Sequence, residues 1–326
     1  MADRTISQAA EDFLEITRLS RSENTYRSYK NALQVFFIVL EENGLSPDSA
    51  SASQITENAI SSLLAALKYY APATESLYTT AASRFYQYLI AEDLAEINFQ
   101  KLQMIIRNRS RQPGQRLPQF PKSDLVKVIK YAAELPTYNF PTERDRLIAY
   151  RDSALVLSLA DTGMRVHEIC NLRRGDIDWN EFKAIIIGKG NQQAVIRFSS
   201  RAMEAIKAYL KQRSSLDGST GRTMASLPIL ARHDKGAGKK ILPISTTTAR
   251  NIIKARTKEI LGEQAALAIS PHTFRHYFVT NVLIGSGGNM KLAQELARHK
   301  SIQVTQRYTH LTDDELDKGY HQIFEE

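Results

Sequence analysis

Hydrophobic and polar positions alternate in the first third of the chain with the period of a helix. Between Ser22 and Glu42 the apolar and aromatic residues are Tyr26, Tyr29, Leu33, Phe36, Phe37 and Leu40, a spacing that lays them on one helical face and fits no strand. Ser22 stands where an N-cap belongs, and Asn43-Gly44 follows, with Gly44 able to take the left-handed position that ends a helix. A second helix is expected from about Thr56 to Tyr70, stopped near Pro72. A third is expected from about Thr74 to Ala91, with Leu77, Ala81, Phe85, Tyr88 and Leu89 as its buried face. Together these read as a compact helical bundle over residues 1–100.

The pattern changes at residues 101–122, which hold Lys101, Arg107, Arg109, Arg111, Arg116 and Lys122 and no acid. Pro113, Gly114, Pro118 and Pro121 punctuate the second half. Residues 101–121 are therefore expected to form an extended basic linker, suited either to strap a phosphate backbone or to serve as a soluble spacer. Helical patterns resume over Lys122–Leu135 and Arg151–Thr162. Ala184–Ser199 is different: AIII and QQAVIRF flank GKGN, two short β-branched strands around a turn. Helices are expected again at Arg201–Gln212, at Thr246–Leu261 and from about Thr273 onward, with loop over 218–240. The expected fold is mainly α: a helical first domain, then residues 122–326 as a mostly α domain with a small antiparallel β-sheet. No internal repeat or low-complexity tract is evident.

Composition narrows the class. With 326 residues, 43% hydrophobic and 24% charged, the chain is ordinary globular material for about two domains. Apolar runs such as Val35–Leu40 fall far short of the roughly 20 residues a membrane span needs. The opening MADRTISQAAEDF has no apolar core of a secretory signal, and Cys170 is the single cysteine, so a reducing, cytoplasmic setting without membrane association is expected. Residues 1–100 hold 7 Lys and Arg against 13 Asp and Glu, and the remainder holds 36 against 22. A basic second domain of this size suits a polyanion, nucleic acid above all, although a solvated basic surface has the same composition.

Four clusters carry candidate chemistry. TGMRVHE places Arg165 just after a Thr-Gly helix stop; GKG places Lys189 at a hairpin tip; HTFRH puts His272 and Arg275 three apart on one face of a helical turn; ARHKSIQVTQRYTH puts Tyr308 nine residues after His299. Arginines and imidazoles can hold the non-bridging oxygens of a phosphate and absorb charge developing in a transition state. A tyrosine can attack, and a lysine can protonate a leaving oxygen. Each residue alone has an ordinary structural explanation: a surface arginine, a polar turn lysine, a helix-start or helix-end histidine, a packing tyrosine. Their joint pattern does not. His272 and His276 are four apart, but Thr273 stands where the helical zinc motif needs Glu, and no cysteine cluster lies nearby. No metal or other cofactor is expected.

TGMRVHEICNLRRGDID, HTFRHYFVTNVL and LARHKSIQVTQRYTH, in this order, resemble the tyrosine recombinase (phage integrase) family. The resemblance covers about residues 118–326 as the catalytic domain, and the first hundred residues are similar in position to the family's core-binding domain. It implies that Arg165 and Arg275 clamp the scissile phosphate and that Lys189 is the general acid for the 5′ oxygen. It further implies that His272 assists proton transfer, His299 donates to the phosphate, and Tyr308 attacks to give a 3′-phosphotyrosyl link. Glu168 stands where the family often has an orienting acid. The residue before the histidine of the last cluster is usually Gly in the family; here it is Arg298. The layout is similar to the two-domain Xer-type members, without a further arm-binding domain. The resemblance implies a duplex DNA recombination site as partner. It also implies a homotetramer on two sites, joined through the 18 residues after Tyr308, which carry six acids and one Lys. DNA contacts in the first part of the chain are expected from Arg27, Lys30, Arg107, Arg109 and Arg111. A type IB topoisomerase, with similar chemistry and no partner exchange, is the alternative enzyme; a non-catalytic DNA-binding module is the alternative outside enzymes.

Overall fold

The computed structural model describes residues 4–111, 121–187, 193–238, 240–299 and 301–306. The chain divides into two compact units, Met1–Arg116 and Leu117–Glu326. The first contains α1 (Ile6–Ser20), α2 (Glu23–Glu42), α3 (Glu57–Ala66), α4 (Pro72–Ala91) and α5 (Phe99–Arg109). The expected α2 forms: Ser22 Oγ accepts the Thr25 amide, and Gly44 follows with φ +80°. Its buried face is Ala32, Leu33, Phe36, Val39 and Leu40, and it packs with Phe13, Phe85 and Tyr86 into one core. Helix α1 gave little signal because its buried face is small, Ile6, Ala9, Ala10 and Phe13 with Thr17. Pro72 does not stop the second helix. That helix ends at Ala66 in a single 3-10 turn, and Pro72 opens α4, where its missing N–H costs nothing. Leu77 is exposed, not buried; the core face of α4 runs through Ala81, Ala82, Phe85, Tyr86 and Leu89.

Residues 101–121 are not extended throughout. Phe99–Arg109 is helix, capped by Asn98, whose side chain accepts the Lys101 amide. Leu102 is fully buried in the core of the first unit, with Ile105 and Ile106 packed beside it. Proline and glycine begin only at Pro113, so nothing before that point breaks a helix. The basic run hid the Leu102–Ile105–Ile106 face, and Arg107 and Arg109 complement the helix C-terminus.

The second unit contains α6 (Lys122–Glu134), α7 (Glu143–Thr162), α8 (Val166–Asn171), β1 (Ile177–Asp178), β2 (Lys183–Ile187), β3 (Gln193–Arg197), α9 (Ser200–Gln212) and α10 (Ser214–Gly218). Then come α11 (Thr246–Ala268), α12 (Pro271–Gly285), α13 (Met290–Ala297) and α14 (Ile302–Gln306). The strands form one antiparallel sheet in the order β1-β2-β3, with Ile185 opposite Val195. Helix α7 starts eight residues before the expected Arg151, capped by Thr142, and is buried along most of its second half. The charged first turn, Glu143 to Arg146, masks the early start in the sequence. Arg151 and Asp152 are both buried and pair at 2.7 Å, and Arg256 of α11 reaches Asp152 at 2.8 Å. Helix α11 breaks at Gly262, which ends the expected Thr246–Leu261 helix before a further turn and a half follows. No helix among the described residues is long and apolar enough to cross a membrane.

Candidate active site

Three chain segments meet at the site. The first is the end of α7. Gly163 terminates it with φ +58° and ψ +21°, and a Cβ there would lie 2.3 Å from the Phe278 ring. Only glycine allows both the left-handed turn and this approach of α7 to α12. Two residues later Arg165 leads into α8, and Glu168 folds back to it. Glu168 accepts the Arg165 amide at 2.8 Å through Oε2 and its Nη1 at 3.1 Å through Oε1.

The second segment is the start of α12. Ser270 and Thr273 cap it reciprocally and Pro271 opens it. His272 and Arg275 then lie one turn apart. Arg275 is 3% exposed; its Nη1 donates to Gly163 O at 2.6 Å and its Nη2 to Ala297 O. This one guanidinium thus ties the end of α7 to the end of α13. The His272 and His276 rings sit edge to face, 4.6 Å between centroids.

The third segment is the end of α13. Arg298 adopts φ +58° and ψ +47°, and His299 follows, buried, with Nδ1 sharing a 2.8 Å hydrogen bond with Thr305 Oγ1. Arg298 donates from Nη2 to Glu168 Oε2 at 3.0 Å. Burial pushes the Glu168 carboxyl up, but Arg298 and Arg165 override it and hold it below its ordinary value. Burial, with Arg275 and Arg165 nearby, lowers the pKa of His299 to about 4 and lowers that of His272 as well. The His276 value falls to about 4 for the same reasons, burial first, then His272 and Arg275. The imidazoles are therefore neutral near pH 7 among fixed positive charges.

Arg165, His272 and Arg275 line one cavity of about 200 Å³, together with Met164, Val166, Arg250, Ser270 and Pro271. Arg250, on the first turns of α11, was not anticipated; nothing in its sequence neighbourhood distinguishes it from a surface arginine. A larger hollow of about 720 Å³ beside Trp179 and Met224 contains none of the candidate residues. Lys189 and Tyr308 lie outside the described residues, as do the residues after Tyr308. No group of three or more metal-type ligands occurs among the described residues.

The expected DNA contacts of the first unit differ in state. Arg27 is exposed and pairs with Glu23 at 3.0 Å, and Lys30, Arg107 and Arg109 are exposed. Arg111 is structural instead. Its amide and guanidinium bind the buried Glu75, and its Nη2 also donates to Leu67 O at 3.2 Å and Tyr70 O at 2.6 Å. Through these bonds Arg111 anchors the end of α5 to Glu75.

Residues 133–315 match the phage integrase family, and residues 11–93 match the phage integrase N-terminal SAM-like domain. The chain is 33% identical over 299 residues to tyrosine recombinase XerC of Treponema denticola, covering 91% of each chain. The chain belongs to the phage integrase family. It is a tyrosine-type site-specific recombinase, an enzyme that breaks and rejoins DNA strands. Tyrosine recombinase XerC of Bacillus subtilis is 27% identical over 311 residues, covering 95% of this chain and 92% of that one. Among solved structures, the XerH recombinase bound to palindromic difH superposes with a TM-score of 0.67 at 16% identity, covering 99% of this chain and 85% of that one. A lambda integrase dimer bound to a core site gives 0.60 at 18% identity, covering 94% and 96%. The recombinase fold is thus shared at low identity, and these relatives give the topoisomerase alternative no support.

Proposed function

We propose that this recombinase cuts duplex DNA at a specific site with Tyr308 as nucleophile, holding the scissile phosphate in the cavity lined by Arg165, His272 and Arg275. The observation that carries the reading is the convergence of those three side chains on one small basic hollow, with His299 tied into the same framework through Ala297 and Arg275. The two arginines would grip non-bridging oxygens that gain charge as phosphorus becomes five-coordinate. Neutral His272 can accept the phenolic proton of Tyr308, and His299 can donate to a phosphate oxygen from the ring nitrogen not engaged by Thr305. Lys189 would protonate the departing 5′ oxygen. The phosphodiester energy is kept in the tyrosyl ester, so attack by a partner strand's 5′ hydroxyl reseals the backbone without nucleotide or metal.

The exposed Arg107 and Arg109, with Lys30 and Arg27, are assigned to contacts with the DNA backbone in the first unit. The solved XerH and lambda integrase complexes contain DNA, which supports a duplex partner here. The active form is a homotetramer on two sites in the cytoplasm, with the acidic tail of one protomer docking on the basic second unit of the next. Nicked duplexes of randomised sequence test the chemistry: strands captured on the protein are sequenced and define the site. Wild type should form a covalent adduct on them and Tyr308→Phe should not, while still binding; adduct formation by the variant at the wild-type rate refutes the assignment. Truncation after Lys318 should impair synapsis; normal recombination by that variant refutes the tail's role.

A further inference from the structure

Arg298 occupies a backbone conformation that glycine adopts freely and other residues do not, with φ +58° and ψ +47°, directly before His299. Its side chain does not escape to solvent. The side chain is 12% exposed; Nη1 donates to Leu296 O at 3.2 Å, Nη2 to Glu168 Oε2 at 3.0 Å, and Nε is buried with no hydrogen-bond partner among the described residues. A strained turn and a buried cation together are costly unless the group serves the site.

Its ionic partner among the described residues explains it. Glu168 is the only carboxylate the described residues offer to Arg165, and it meets Arg165 at both amide and guanidinium. Unshared, its charge would draw on Arg165 alone and weaken the field that Arg165 projects into the cavity. Resting on the recombinase reading above, we propose that Arg298 is a positioning residue that neutralises Glu168, so that Arg165 keeps its charge directed at the scissile phosphate. The segments it joins are 130 residues apart in sequence.

The test is single-turnover adduct formation on the nicked duplexes selected by wild-type protein, at saturating DNA. Arg298→Gly should cleave on the order of tenfold to a hundredfold more slowly, the range expected for losing one charge-assisted hydrogen bond, with DNA affinity little altered. Arg298→Lys should recover part of the rate. The decisive variant is Arg298→Gly combined with Glu168→Gln: removing the unshared charge should raise the rate above that of Arg298→Gly alone. A structural role for Arg298 would make the double variant the slower of the two. A wild-type rate for Arg298→Gly, or no recovery in the double variant, overturns the proposal. No adduct from wild type overturns the recombinase chemistry itself.

Discussion

Replacing Gly163 with Ala puts a methyl group where α7 and α12 have left no room. The added Cβ would lie 2.3, 2.8 and 2.9 Å from three carbons of the Phe278 ring, all inside any real carbon–carbon contact. Phe278 is partly buried and packs against the α12–α13 cluster of Val279, Leu283, Ala293 and Ala297, which restrains the ring. Two costs add. Holding a non-glycine residue at φ +58° costs about 1–2 kcal/mol, and overpacking a filled contact costs about 1–3 kcal/mol. The sum, roughly 2–5 kcal/mol, is a large share of an ordinary domain's stability. Gly287 separates the two terms: its φ is +60° and nothing lies within 4 Å of its added Cβ, so Gly287→Ala carries the backbone cost alone. Trp179 is the single tryptophan and packs against the core of the second unit, so its fluorescence in urea reports on that unit. Gly163→Ala should unfold at clearly lower urea than Gly287→Ala. In a Phe278→Ala background the Gly163→Ala increment should shrink to the backbone cost. Because Gly163 O accepts from Arg275, surviving folded protein should also form adduct more slowly. Equal urea midpoints for Gly163→Ala and Gly287→Ala would refute the steric account.

Three further outcomes follow from the same structure. Glu75 is buried, and although burial pushes its carboxyl up, Arg111 and Lys68 bring it down to about 2 from 4.5, so its stabilisation is complete above pH 4.5 and is lost as pH falls towards about 2. Glu75→Gln should loosen the first unit by about 1.5–3 kcal/mol, the scale for hydrogen bonds to a charged group, and hydrogen exchange across α4 will register it. His276 and His299 have values near 4 against the ordinary 6.5, so stability that depends on their neutral forms is full above pH 6.5 and declines as pH drops towards 4. Trp179 urea midpoints at pH 7.5 and 5 should show the loss, and equal midpoints would contradict it. DNA affinity should fall steeply with salt, by a slope of about 0.9 in log–log terms per phosphate neutralised; a flat titration would count against the basic second unit as a DNA-binding face.

Much of the fold is legible because helix signals are local. The periodicity of Leu33, Phe36 and Leu40 and the Ser22 cap depend on neighbours within four residues, and α2 forms where they indicate. The order of the Arg165, His272–Arg275 and His299 clusters was likewise enough to point to the chemistry. Local reading failed where charge concealed an apolar face, at Leu102 of α5 and the first half of α7, and where a hydrophobic residue was left outside, at Leu77. Those outcomes depend on which other helix lies opposite, and periodicity within one segment carries no such information.

The same division runs through the site. From the amino-acid order alone came the residue types and their spacing: two arginines, the histidines, and a glycine at a helix stop. Tertiary structure alone decided that Arg275 joins Gly163, 112 residues away, to Ala297, that Arg111 turns inward to Glu75, and that Arg298 shares Glu168 with Arg165. Burial makes those choices binding. A charged group withdrawn from water must find its partner wherever packing has placed one, and distance along the chain has no part in that selection.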